Sequence, residues 1–193
     1  AQIAVDSLLT RDPEVRISPE RMEFPPGLID LWIECLARPE ADLRREAAES
    51  IAAAHRLGMR ELDGAIAPLV ARLGANDESL LTRLAAARAL VQIDASGEAS
   101  ALYKRATIDG LPMALVVEPA LARWGYEPIR AQWSRRLQDA SAAPALRKLA
   151  IEGLGGAADP EAAPGIATIV LDRAADARLR LAGAKARARI CGG

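Results

Sequence analysis

The chain has 193 residues, enough for one domain or for an elongated array of about five helical pairs at about 40 residues each. Hydrophobic residues make up 51% of it but aromatic residues only 3%, so the core has to be built from Ala, Leu, Ile and Val, whose small side chains let helices approach closely. A net charge of −1 argues against a strong general affinity for nucleic acid or acidic membrane, and no run of about 20 apolar residues is present to span a bilayer.

Residues 1–37 read as an N-terminal cap or a partial repeat. A short helix is expected over 3–9, after which Asp12-Pro13, Ser18-Pro19 and Pro25-Pro26-Gly27 break the chain into a turn-rich passage, and a helix follows over 28–37. Within that helix Cys35 continues the line of Leu28 and Trp32 at i, i+4 and i+7, the position of a small buried hydrophobe.

From residue 38 to 193 the chain repeats itself. Arg44-Arg45-Glu46-Ala47-Ala48-Glu49-Ser50-Ile51 recurs in blurred form as Arg83-Leu84-Ala85-Ala86-Ala87-Arg88-Ala89-Leu90 and as Arg147-Lys148-Leu149-Ala150-Ile151-Glu152-Gly153-Leu154. The equivalent apolar anchors are Ile51, Leu90, Leu121 and Leu154, spaced 39, 31 and 33 residues apart, and the fifth equivalent falls 33 further on at Arg187. First helices carrying these anchors are expected over 42–55, 79–93, 113–124, 143–154 and 176–190, each with one apolar stripe at the 3.6 period. Second helices are expected over 65–73, 98–108, 128–140 and from about 160 to 174. Asp63 and Pro68, like Asp159 and Pro164, stand five residues apart in matching places, as a helix cap and a proline in a first turn. In the third unit Val116-Val117-Glu118-Pro119 stands where the Arg and small residues belong, and Pro119 is expected to kink or delay that helix.

This pattern resembles the HEAT-repeat family in its short bacterial form. The unit 42–73 carries the resemblance best, through Arg44 or Arg45, Ala47, Ala48, Pro68, Leu69 and Leu73. The unit 143–174 follows, through Arg147, Ala150, Leu154, Pro164, Ile166 and Ile169, and Asp176, Arg180 and Ala184 open a last unit. The resemblance implies an all-α, right-handed α-α superhelix of about five helical pairs, and a non-catalytic scaffold for protein–protein interaction, an accessory subunit of a larger assembly. Two other HEAT-like families set the alternatives: a nucleic-acid-binding protein or DNA glycosylase, and a bilin lyase.

No residue pattern calls for catalysis. The lone His55 extends the line Leu43, Ala47, Ile51 and reads as a packing or turn-capping residue. Asp77-Glu78 falls in a turn, where N-capping accounts for it, and Gly153, Gly155 and Gly156 read as left-handed helix terminators with no P-loop Lys-Ser or Lys-Thr behind them. Cys35 and Cys191 are in no metal or redox spacing, so no metal and no cofactor is expected. For nucleic acid, Arg130, Arg135 and Arg136 with Trp133 and Tyr126 make the most basic and aromatic second helix, but Trp133 lies between Ile129 and Leu137 at i+4 spacing, as a core residue does.

The expected partner is therefore a protein. Residues 1–97 hold 11 Lys and Arg against 16 Asp and Glu, a net −5, whereas residues 98–193 hold 14 against 10, a net +4. Second helices commonly line the concave side of a curved stack, and the weak candidate contacts are Arg105, Arg130, Arg135, Arg136, Arg173, Arg180 and Arg187. The last helix carries Leu179, Leu181, Ala182, Ala184, Ala186 and Ile190 with no helix after it, so docking through this end is expected, onto an acidic partner that meets Arg178, Arg180, Lys185, Arg187 and Arg189. The Ala1-Gln2 start is compatible with a removed export signal or with a cut segment; the chain reads as soluble, cytoplasmic or exported, with oligomeric state left open.

Overall fold

Apolar stripes at a helical period, punctuated every few turns by Gly, Pro or Asp, leave little choice but short stacked helices. The computed structural model describes residues 23–192, which form ten α-helices and no strand. They are α1 (Leu28–Leu36), α2 (Ala41–Arg56), α3 (Ile66–Gly74), α4 (Leu80–Gln92), α5 (Ala99–Asp109), α6 (Leu111–Arg123), α7 (Arg130–Gln138), α8 (Pro144–Gly156), α9 (Ala163–Leu171) and α10 (Ala177–Cys191). The helix expected over 3–9 and the turns at Asp12-Pro13 and Ser18-Pro19 lie outside the described residues.

Local chemistry sets the helix ends. The Ser79 hydroxyl accepts from the Thr82 N–H at the start of α4, and Asp176 accepts from the Arg178 N–H at the start of α10. Asp159 accepts from the Glu161 N–H and opens the 3₁₀ turn ahead of α9, whereas Asp63, in the same place ahead of α3, makes no side-chain cap. Four long helices stop in one way: Gly58, Asp94, Gly125 and Ala158 take positive φ of 102°, 60°, 66° and 49°. The next N–H in each case, of Met59, Ala95, Tyr126 or Asp159, bonds the carbonyl five residues back at 2.9–3.0 Å.

Gly153, Gly155 and Gly156 therefore do not terminate α8; they lie within it, and the left-handed residue is Ala158. Two of them are sites of close packing. A Cβ on Gly153 would lie 2.6 Å from the Trp133 ring, and one on Gly155 would collide with Ala186 of α10. Pro119 likewise does not delay α6, which starts at Leu111 and runs through it to Arg123. The proline is on the exposed side, and the carbonyl that its missing N–H leaves unpaired belongs to the exposed Leu115.

The long helices α2, α4, α6, α8 and α10 are each seated against the next, while the short helices touch one another lightly. Each short helix packs most closely against the long helix that follows it, so the five pairs are α1–α2, α3–α4, α5–α6, α7–α8 and α9–α10. This shifts the pairing by one helix from the units read in the sequence. The cause is the links: one to five residues join a short helix to the next long one, whereas six to nine, including a 3₁₀ turn, separate a long helix from the next short one. Ile51, Leu90, Leu121 and Leu154 are fully buried, as are Trp133 and Ile129. The last helix has a partner after all, since Leu179, Ala182 and Ala186 are buried in α10, which packs on α8 and α9.

Candidate functional site

The fourth residue of each long helix is Arg44, Arg83, Ala114, Arg147 and Arg180 in turn. Each of the first two reaches into the turn that leads to the next long helix. Arg44 donates from Nε and Nη2 to the Glu78 carboxylate at 2.6 and 2.8 Å, and from Nη1 to the carbonyls of Arg38 and Pro39. Arg83 donates to Asp109 at 2.9 and 3.2 Å and to the Glu78 carbonyl. Asp109 is held from its other side by Arg105 at 2.8 Å through both Nε and Nη2. These are inter-unit rungs with two-point geometry. The Arg44 hydrogen bonds hold the Glu78 carboxyl below its ordinary range against the opposing effect of burial. Burial pushes Asp109 up, but the hydrogen bonds from Arg105 and Arg83 outweigh it and keep its carboxyl low. Glu78 is thus a ladder acid rather than a cap; the cap is Ser79.

The acids lie five residues ahead of the fourth position, at Glu78 and Asp109; the matching residues later on are Ala142 and Ala175. Ala114 and Ala142 leave one interface with no arginine and no acid at the ladder position. At the next interface Arg147 remains but faces Ala175, and its Nε is buried without a hydrogen-bond partner among the described residues. In the third unit the polarity reverses. Glu118 on α6 accepts from Arg136 at 2.7 and 2.9 Å and from the Trp133 indole at 2.9 Å, both on α7.

The candidate contact residues accordingly divide. Arg105 is buried and engaged by Asp109, and Arg136 is held by Glu118. Trp133 is core, so of the proposed nucleic-acid contacts on α7 only Arg130, half-buried, and Arg135, exposed, remain open. Arg187 and Arg173 are exposed; Arg180 is half-buried and donates to the Arg173 carbonyl at 3.5 Å. His55 is half-buried, with Nδ1 unpartnered among the described residues, and Cys35 is half-buried against the core. Among the described residues no three His, Cys, Asp or Glu side chains converge in a metal-binding group.

One feature of the long-helix layer had no signal beyond the repeat itself. A groove of about 300 Å³ runs between α6, α8 and α10. Its lining combines the small residues Pro119, Ala122, Gly153 and Gly156 with the buried Leu149 and Glu118, and with Arg123, Glu152 and Arg189. Arg123 also pairs with Asp94 at 3.0 Å and lies over the Trp124 ring; the Trp124 indole and Arg123 together hold the Asp94 carboxyl low. Leu115, four residues before Pro119, and Leu181, eight before Arg189, are more than half exposed.

Stacked helical pairs, left-handed stops at matching positions and an inter-unit Arg–carboxylate ladder define an all-α solenoid. No family model matches the chain, and no curated protein does. Among solved structures it is similar to the complex of CpcE and CpcF of phycocyanin lyase from Nostoc sp. PCC7120, with 18% identity over 90% of this chain and 68% of that one, at a TM-score of 0.65. At that identity the likeness is one of fold. No helix among the described residues is long and apolar enough to cross a membrane.

Proposed function

We propose that the chain is a non-catalytic helical-repeat scaffold that binds another protein, as an accessory subunit of a larger assembly. The observation that carries this reading is the groove between α6, α8 and α10, lined by the small residues Pro119, Ala122, Gly153 and Gly156 together with Leu149, and flanked by Arg123 and Arg189. Small residues in the lining admit the backbone of a partner element, and arginines beside an apolar lining on packed helices are what an interface uses. The buried acids Glu78, Asp109 and Glu118 are each matched by arginine and hold the stack together.

The test is affinity capture with the whole chain beside its Arg123→Glu/Arg189→Glu variant. Capture that is specific for the wild type and falls roughly tenfold in the variant, about 1.4 kcal/mol, supports the reading. An identical capture profile with the helical spectrum intact overturns it. The likeness to a phycocyanin lyase complex favours a second reading, a bilin-lyase-like protein. In that case an open-chain tetrapyrrole titrated into the protein gives a saturable visible-absorbance change that the same double variant removes.

A further inference from the structure

The turn before α10 repeats the backbone of the turn before α4. Each is a link of five residues, 75–79 and 172–176, whose fourth N–H bonds the carbonyl of its first residue. Ser79 and Asp176 close the two links at the helix N-cap, with φ and ψ of −65° and 146° in one and −51° and 132° in the other. The donors that hold the Glu78 carboxylate therefore have counterparts here. Glu78 takes Nε and Nη2 of Arg44 at 2.6 and 2.8 Å and the Ser79 N–H at 2.9 Å. Arg147 and the Asp176 N–H hold the matching places. Position 175, where the acid would stand, is a half-buried alanine, and Arg147 Nε is buried with no hydrogen-bond partner among the described residues. The acids nearby are engaged elsewhere. Asp172 accepts from the Ala174 N–H at 2.9 Å and Asp176 from the Arg178 N–H at 2.6 Å. The Ser141 hydroxyl and N–H hold the exposed Asp139 carboxyl low, and Arg147 adds a weaker attraction. Arg180 brings a second guanidinium to the same turn, donating to the Arg173 carbonyl at 3.5 Å.

We propose that Arg147 and the turn 172–176 bind a carboxylate supplied from outside the chain, in the geometry that Glu78 takes within it. A planar carboxylate meets the Nε and Nη2 edge of a guanidinium at two points, which a spherical anion cannot do. A guanidinium nitrogen buried without an acceptor is costly, so Arg147 gains more from such a ligand than a solvated arginine does. The bound carboxylate ties α8 to the turn of α10 as Glu78 ties α2 to the turn of α4. Binding therefore fastens the last unit to the fourth. Two sources offer this chemistry, a small free carboxylate and an Asp or Glu side chain of a partner, and different probes separate them.

The whole chain is titrated with acetate, with the blocked peptide N-acetyl-Ala-Glu-Ala-amide, with inorganic phosphate and with chloride at matched ionic strength, while NMR follows the Arg147 Nε–H signal. Loss of that signal in Arg147→Lys assigns it. Both carboxylates are expected to shift it saturably, with half-saturation at about 10 mM, the affinity that two or three charge-assisted hydrogen bonds give. In Ala175→Glu the signal should stand at the shifted position from the start and respond to acetate at least about tenfold less. Tighter binding of acetate assigns the site to a free carboxylate, and tighter binding of the peptide to a partner's side chain. A shift that chloride reproduces, no saturable shift with either carboxylate, a response undiminished in Ala175→Glu, or tighter binding of phosphate than of both carboxylates overturns the proposal. Should Arg147→Lys fail to fold, thermal melts of the wild type and Ala175→Glu carry the test. About 0.1 M acetate should raise the wild-type midpoint by about 3–5 °C over chloride and leave Ala175→Glu unmoved; equal shifts in the two proteins, or none in either, overturn it.

Discussion

Four residues carry the same backbone duty, and two of them are poorly suited to it. Gly58 and Gly125 adopt positive φ without cost, Asp94 uses its carboxylate locally for Trp124 and Arg123, and Ala158 at φ 49° has only its Cβ clash. Ala158→Gly should therefore raise stability by about 0.5–1 kcal/mol, the relief of strain being partly offset by the freer unfolded chain; a denaturant titration with unchanged slope checks it. Trp133 was legible as core from its i±4 neighbours Ile129 and Leu137. The glycines of α8 were not, because Gly is read first as a helix terminator and only the tertiary structure shows the Trp133 ring and Ala186 pressed against positions 153 and 155. Nor does sequence join Glu118 to Arg136, an acid and a base on different helices.

At the scale of the helix, the recurring arginine was visible, but its acid was hidden: Glu78 and Asp109 differ in type, and the first lies in a turn whereas the second ends α5. Asp109→Ala leaves Arg83 and Arg105 facing each other in a buried site and should cost about 3–5 kcal/mol at neutral pH. Because Glu78 and Asp109 are held below their ordinary values, the stability they add is complete above about pH 4, their unfolded-state range, and is lost as pH falls through their lower folded-state values. Thermal melts from pH 7 down to about 2 should show a flatter acid decline for Asp109→Ala than for the wild type. The broken rung is repairable. The Ala175 N–H bonds the Asp172 carbonyl just as the Glu78 N–H bonds that of Ala75, so both positions occupy the same turn. Ala175→Glu should reach Arg147 and stabilise by about 1 kcal/mol, a gain that Arg147→Ala in the same background removes.

Across the whole molecule the Arg–acid pairs at the ladder position stop where Ala114 and Ala142 stand, and beyond that interface the helices carry Gly153, Gly155, Gly156, Gly165 and Gly183, whose backbones lose more conformational freedom on folding. Repeat arrays open by segments when their interfaces are unequal. Native-state hydrogen exchange should therefore find α8, α9 and α10 opening at lower free energy than α2, α4 and α6; one common opening energy for all six would contradict this. The array itself was plain from the anchors Ile51, Leu90, Leu121 and Leu154. What the sequence left out was the pairing phase, which depends on link lengths and the direction taken by the 3₁₀ turns.

Both rungs at the ladder position run the same way, the earlier unit giving the arginine and the later one the acid, and the Glu118–Arg136 pair between the third and fourth units runs against them. The units are therefore not interchangeable: one moved across the third interface leaves a buried charge without its partner.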